Sequence, residues 1–368
     1  SRRHLLDGCH HGLRGIPLAV GAAGNRSGLP GKQVGGFGNP LGVKDHLAND
    51  ALETLDELIE NPGEPSSVSA GDLCPTRQVA IPVHLGNGVP QGFKGMDEVG
   101  PHEGHHGAAD ETTLQHNQDA WRALLLQPRV LRLLAGGHTR LELLGRTLAH
   151  PILLAPVAYQ RMAHADGEIG TALAASAQEA GLVLSTQAST PLEAVADAIR
   201  HDPGRGPLWF QLYLQHDRGF NLELIRRAEA AGYEALVLTV DAPCNGARDR
   251  ERRAGFRLPP GISAVNLSRL APRPDPARHP HQSALFDGLL QHAPTWDDIA
   301  WLRASTSLPL ILKGVLHPDD AREAARLAVS GLIVSNHGGR TLDTLPPTAE
   351  VLPEIVEALG GSLPVLVD

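Results

Sequence analysis

The chain has 368 residues, 42% of them hydrophobic but only 4% aromatic, and a net charge of −9. That length fits one large domain with an appendage, and its core has to be aliphatic. The acidic balance opposes non-specific binding to nucleic acid or to an anionic membrane. Cys9, Cys74 and Cys244 are too scattered for a disulfide ladder or a paired metal site, which fits a reducing compartment. No apolar run approaches the ~20 residues of a membrane helix, and no secretory pattern is visible. The expectation is a cytoplasmic protein, with peripheral association at an inner membrane left open. Because the chain starts at Ser1 without methionine, the sequence is expected to lack its true start.

Residues 1–105 form an irregular N-terminal extension without an assigned fold. Glycine, proline and histidine are scattered through it. Its one helical pattern is "NDALETLDELIE", Asn49 to Glu60, stopped by Asn61-Pro62-Gly63. His102-Glu103-Gly104-His105-His106 fits the zinc-protease spacing H-E-x-x-H. That chemistry needs a helix, and Gly100, Pro101, Gly104 and Gly107 oppose one. Cys9-His10-His11 reads as incidental.

From residue 106 the texture changes. Apolar runs at Ile152–Ala155, Leu182–Thr186, Leu208–Tyr213, Ala235–Asp241, Leu308–Gly314, Leu332–His337 and Leu363–Asp368 read as buried strands. Amphipathic stretches lie between them, among them Gly167–Ala180, Leu222–Ala231 and Asp319–Val329. Repeated βα units predict a parallel sheet with right-handed crossovers. Nearly every strand ends in a polar residue, which predicts a (β/α)8 barrel with its chemistry on the C-terminal rim. Residues 106–368 supply about seven strands, so the barrel is expected to be incomplete, with strand eight missing. The proline- and histidine-rich stretch between Phe256 and Trp296 reads equally as an active-site cover or as an inert insertion.

The strand ends carry a coherent set of groups. His337 can accept a proton, and Asp241 can hold the imidazole and stabilise its cation. Arg248 and Arg340 can clamp a carboxylate through paired hydrogen bonds. Tyr213 offers a hydroxyl to a substrate oxygen. Lys313 offers a positive charge to an electron-rich cofactor. Ser185, Gln211 and Thr239 suit the amide-like edge of a heterocycle. Together they fit oxidation of an α-hydroxy carboxylate, with a flavin taking the electrons.

The segments "ADETTLQHNQDAW", "LLQPRVLR", "PILLAPVAYQRMAHADGE", "LSTQAST", "WFQLY", "LVLTVDAP", "LPPGI", "TWDDIAWLR", "LILKGVLHPDDA" and "SNHGGRTLD" resemble the FMN-dependent α-hydroxy acid oxidase and dehydrogenase family. The resemblance covers residues from about 108 to 368. Its most specific element is the run Ser335–Arg340, whose histidine lies 24 residues after Lys313. It implies a TIM barrel with FMN at the strands' C-terminal ends. It implies His337 as base, Asp241 as its support, Arg340 and Arg248 on the substrate carboxylate, and Tyr213 beside the reacting centre. It places Lys313 near flavin N1 and the C2 oxygen. Ala158, Ser185, Gln211 and Thr239 fall around the isoalloxazine, and Asp368 near the ribityl chain. The implied partners are a small 2-hydroxy acid, an electron acceptor (oxygen, quinone or cytochrome) and further copies of the chain in a homotetramer.

Three departures stand out. Val157 replaces a threonine-like residue, Glu103 falls where a substrate-binding tyrosine is usual, and the glycines that usually seat the phosphate after Asp368 are not in the sequence. The alternative is an inactive or weakly flavin-binding fragment of such an enzyme.

Overall fold

The structure is a computed structural model that describes residues 79–83, 106–272, 283, 285, 290 and 293–368. Arg77–Asp368 forms one compact unit. The helix expected at 49–60 and the motifs at Cys9 and at His102-Glu103 lie outside the described residues, as does the middle of the expected cover segment, 273–282 with several residues after it.

The elements, in chain order, are β1 (Val79–Val83), α1 (Thr112–Arg122), β2 (Leu141–Leu143), β3 (Arg146–Leu148), β4 (Ile152–Leu154), α2 (Gly167–Ala177), β5 (Gly181–Leu184) and α3 (Leu192–Ile199). They continue with β6 (Leu208–Leu212), α4 (Arg218–Ala231), β7 (Ala235–Thr239), α5 (Asp249–Arg253), α6 (Trp296–Ser305) and β8 (Leu310–Val315). The last are α7 (Pro318–Arg326), β9 (Gly331–Val334), α8 (Thr348–Leu359) and β10 (Val365–Val367). Local chemistry sets the boundaries. Asp217 caps α4 by accepting from the amides of Gly219 and Phe220, and Gly232 at φ 89° ends it. A reciprocal capping box between Thr295 and Asp298 starts α6.

The strands β4 through β10 pair in sequence order, all parallel. These are the seven strands expected between Ile152 and Asp368. The ladder closes, because β1 lies upstream and pairs parallel with both β10 and β4. Val79 is registered on Val365, and Ile81 on Ile152. The position expected to stay empty for want of an eighth strand is therefore filled by a strand from before residue 106.

Alternation along each strand decides what faces the centre. Leu153, Val183, Trp209, Val237, Ile311, Ile333 and Leu366 form one buried cluster inside the barrel. The intervening residues, such as Leu182, Phe210, Leu236, Leu312 and Val334, pack outward against the helices. The antiparallel hairpin β2–β3 adds Leu143 and Leu148 to the inner cluster. Arg146 of that hairpin bonds the Arg205 carbonyl before β6, so the hairpin plugs the N-terminal mouth.

One surface feature has no cover among the described residues. Leu125, Leu131 and Leu133 are 90%, 100% and 93% exposed, and Leu124, Leu126, Val130 and Leu134 are exposed beside them.

Candidate active site

Stepping two residues up each strand from the inner apolar cluster reaches the polar layer. Val183 leads to Ser185, Trp209 to Gln211 and Tyr213, and Val237 to Thr239 and Asp241. In the same way Ile311 leads to Lys313, Ile333 to Ser335 and His337, and Leu366 to Asp368. The strand period thus turns scattered sequence positions into one ring at the C-terminal mouth.

His337 stands at the centre. Its Nδ1 lies 2.8 Å from Asp241 Oδ1, and its Nε2 lies 3.3 Å from the Tyr213 hydroxyl. Donation from Nδ1–H to the carboxylate leaves the Nε2 lone pair facing the mouth. The Tyr213 and His337 rings stack with centroids 6.5 Å apart. His337 holds a left-handed backbone at φ 59°, and Gly338 and Gly339 continue it. That conformation costs a non-glycine residue about 1–2 kcal/mol. Bonds around the turn hold it. The His337 amide donates to Ser335 Oγ, and the Gly339 amide donates to Asn336 Oδ1.

Asp241 is seated by Gly314, which follows Lys313. A Cβ there would come within 2.5 Å of the Asp241 Cβ, so only glycine lets the carboxylate sit behind the imidazole. Asp241 Oδ2 is buried without a hydrogen-bond partner among the described residues. Burial, then the Asp241 charge, pushes the Tyr213 hydroxyl far above its ordinary value, and Arg340 and Arg248 only partly offset this.

Lys313 is buried. Its Nζ lies 2.7 Å from Asp368 Oδ2 and donates to Ser335 Oγ at 2.6 Å. Gln211 links the neutral groups: its Oε1 accepts from Ser185 Oγ and the Thr186 amide, and its Nε2 donates to Thr239 Oγ1. Leu153, Ala155, Pro156, Lys313 and Asp368 line a small cavity over the inner cluster. Ala158 follows β4 at the same mouth. A cation, an amide and two hydroxyls at one level fit a heterocycle edged with alternating N–H and C=O groups.

Arg248 and Arg340 converge on one carboxylate of the chain itself. Glu251 Oε1 lies 3.4 Å from Arg248 Nη1 and 3.3 Å from Arg340 Nη2. Burial and the neighbouring Arg248 pull Arg340 below its ordinary value, and Glu251 opposes them. The guanidinium stays cationic.

Several residues that organise this mouth escape the sequence reading. The amides of Asp110, Thr112 and Thr113 all donate to the Asp343 carboxylate, which pins the start of α1. Asn117 and Asn336 exchange amide hydrogen bonds at 2.9 and 2.8 Å. The Ala108 amide donates to the Gly339 carbonyl, the Ala109 amide to the Ala247 carbonyl, and Arg340 Nη1 to the His106 carbonyl. This segment therefore ties the histidine turn to the arginine turn. Asp343 ends the "SNHGGRTLD" run, so its signal was in view. Glu251 hides inside "RDRERR", where a charge run reads as solvated. His106, part of the zinc-like motif, instead joins Glu111 and Arg250. No group of three or more metal-ligating side chains occurs among the described residues.

Comparison with known proteins agrees with this architecture. The sequence signature described as "FMN-dependent dehydrogenase" matches residues 104–368. An L-lactate oxidase of Alicycliphilus denitrificans is 49% identical over 263 residues, 71% of this chain and 70% of that protein. A glycolate oxidase of Spinacia oleracea is 40% identical over 263 residues, again 71% and 70% of the two chains. A solved structure of a mandelate oxidase mutant with (S)-mandelic acid superposes with a TM-score of 0.62 at 39% identity, covering 72% of this chain and 70% of that one. The inward ring of polar residues and these matches lead to one conclusion: the chain belongs to the FMN-dependent dehydrogenase family, whose members oxidise 2-hydroxy acids with FMN as cofactor.

Proposed function

We propose that this protein oxidises a small L-2-hydroxy monocarboxylate, lactate or a close analogue, to the 2-oxo acid. The observation that carries the reading is His337, held on Asp241 through Nδ1 and met at Nε2 by the Tyr213 hydroxyl, with Arg248 and Arg340 close enough to act on that same hydroxyl. Support for lactate comes from the 49% identical L-lactate oxidase, with glycolate and mandelate as the competing acids.

In this reading Arg248 and Arg340 bind the carboxylate and fix the acid's orientation. Tyr213 donates its hydroxyl hydrogen to a substrate oxygen. His337 takes a proton at Nε2, and Asp241 stabilises the resulting imidazolium. Lys313, Gln211, Ser185, Thr239, Ala158 and Asp368 would hold FMN, which supplies a two-electron sink when bound. Oxygen is the proposed final acceptor, because the relatives above are named oxidases. Two electrons and two protons then leave as hydrogen peroxide.

The test is peroxide formation by FMN-loaded protein given L-lactate, glycolate or (S)-mandelate. L-lactate should give the highest kcat/KM, with D-lactate inert. Peroxide from none of the three acids, with FMN bound, would remove the reading.

A further inference from the structure

Glu251 is a half-buried carboxylate beside the two arginines, and the mechanism above gives it no part. Its side chain is 15% exposed, and the two arginines it bridges are 29% and 24% exposed. We propose that Glu251 is a specificity-determining residue, which cancels half the charge of the arginine clamp and so selects acids with one carboxylate over acids with two. The proposal rests on reading Arg248 and Arg340 as that clamp.

Among the described residues, the other charges near the pair have partners of their own. Arg250 is taken by Glu111 at 3.2 Å, and Lys313 by Asp368 at 2.7 Å. Asp241 faces His337. Arg252 pairs with Asp249 on the exposed side of α5. Only Glu251 touches both guanidinium groups among the described residues. Two guanidinium groups and the Glu251 carboxylate together carry one net positive charge, which a single carboxylate neutralises. A small dicarboxylate carries its second charge within a few bonds of the first, close to Glu251 and in a region where burial limits screening. Burial and mutual repulsion weaken the hold of Arg340 on its proton, and Glu251 counters both effects. The same carboxylate thus keeps two like charges together and sets the charge they present.

The experiment is calorimetric titration of FMN-loaded protein with two acids that lack a hydrogen on C2 and so cannot be oxidised. They are 2-hydroxy-2-methylpropanoate, with one carboxylate, and 2-hydroxy-2-methylbutanedioate, with two. In the unaltered protein the dicarboxylate should bind at least about tenfold more weakly. Equal or tighter binding overturns the proposal without any variant. Glu251→Gln should shrink that difference at least about fivefold, and Glu251→Asp, which keeps the charge, should restore it. Binding of both acids with an unchanged ratio in Glu251→Gln overturns the role of Glu251 and leaves the clamp standing. Binding of neither acid to any form removes the clamp, and this proposal with it.

Discussion

The imidazole of His337 is fixed from two sides, and each side has a physical task. Asp241 selects the tautomer by accepting from Nδ1, and the Tyr213 hydroxyl meets Nε2. A phenol could lose its proton at alkaline pH and, in the proposed reaction, become an anion competing with the substrate carboxylate. Burial, and next the Asp241 charge, holds the Tyr213 proton well above the ordinary range. The hydroxyl therefore remains a donor, and Tyr213 contributes no alkaline limb to the pH–rate profile below about pH 10. An alkaline limb in that range that disappears in Tyr213→Phe would contradict this placement. The residue types at this level were legible in the sequence, because each closes an apolar strand. Glu251 was not, because its neighbours Arg250, Arg252 and Arg253 are solvent-facing and disguise it.

At the scale of elements, the strand period does most of the placing. Trp209, Gln211 and Tyr213 share one face of β6 and its extension, so one apolar plug residue predicts two site residues above it. The parity was readable from sequence; the partner across the barrel was not, since pairing depends on register. The anchoring of α1 is a contact of that kind. Burial pushes the Asp343 carboxyl up, but the amides of Thr113, Thr344, Thr112 and Asp110 outweigh this and hold it below its ordinary value. A depressed carboxylate stabilises the fold above its unfolded pKa, about 3.9, and loses that contribution as pH falls through the folded value. Asp343→Asn should therefore cost about 1–3 kcal/mol at neutral pH, measured by urea unfolding. The gap between the two proteins should narrow below about pH 4. A gap that stays constant from pH 7 to pH 3 would show that the carboxylate charge does not anchor the helix.

Over the whole molecule, the barrel has one plugged mouth and one chemical mouth. The hairpin β2–β3 closes the first with Leu143 and Leu148. Closure of the wall depends on β1, whose parallel pairing with β10 and β4 joins positions 286 residues apart in the register of Val79 on Val365. The sequence around Val79–Val83 is short and set among glycines and prolines, so nothing local marks it as a barrel strand. Its identity comes from two distant partners that need a neighbour. Replacing Val79–Val83 with a glycine–serine segment should lower the unfolding midpoint and speed amide exchange at Ile152–Leu154 and Val365–Val367. Unchanged exchange there would contradict closure by this strand. The complete ring matters to the proposed reaction, in which residues from separate strands act on one small acid. The most direct test of that arrangement is the rate at which L-lactate bleaches the flavin band without oxygen, in unaltered protein and in His337→Gln, both loaded with FMN. The rate should fall by about 10²–10⁴-fold while FMN stays bound; bleaching at the unaltered rate would show that His337 does not take the proton.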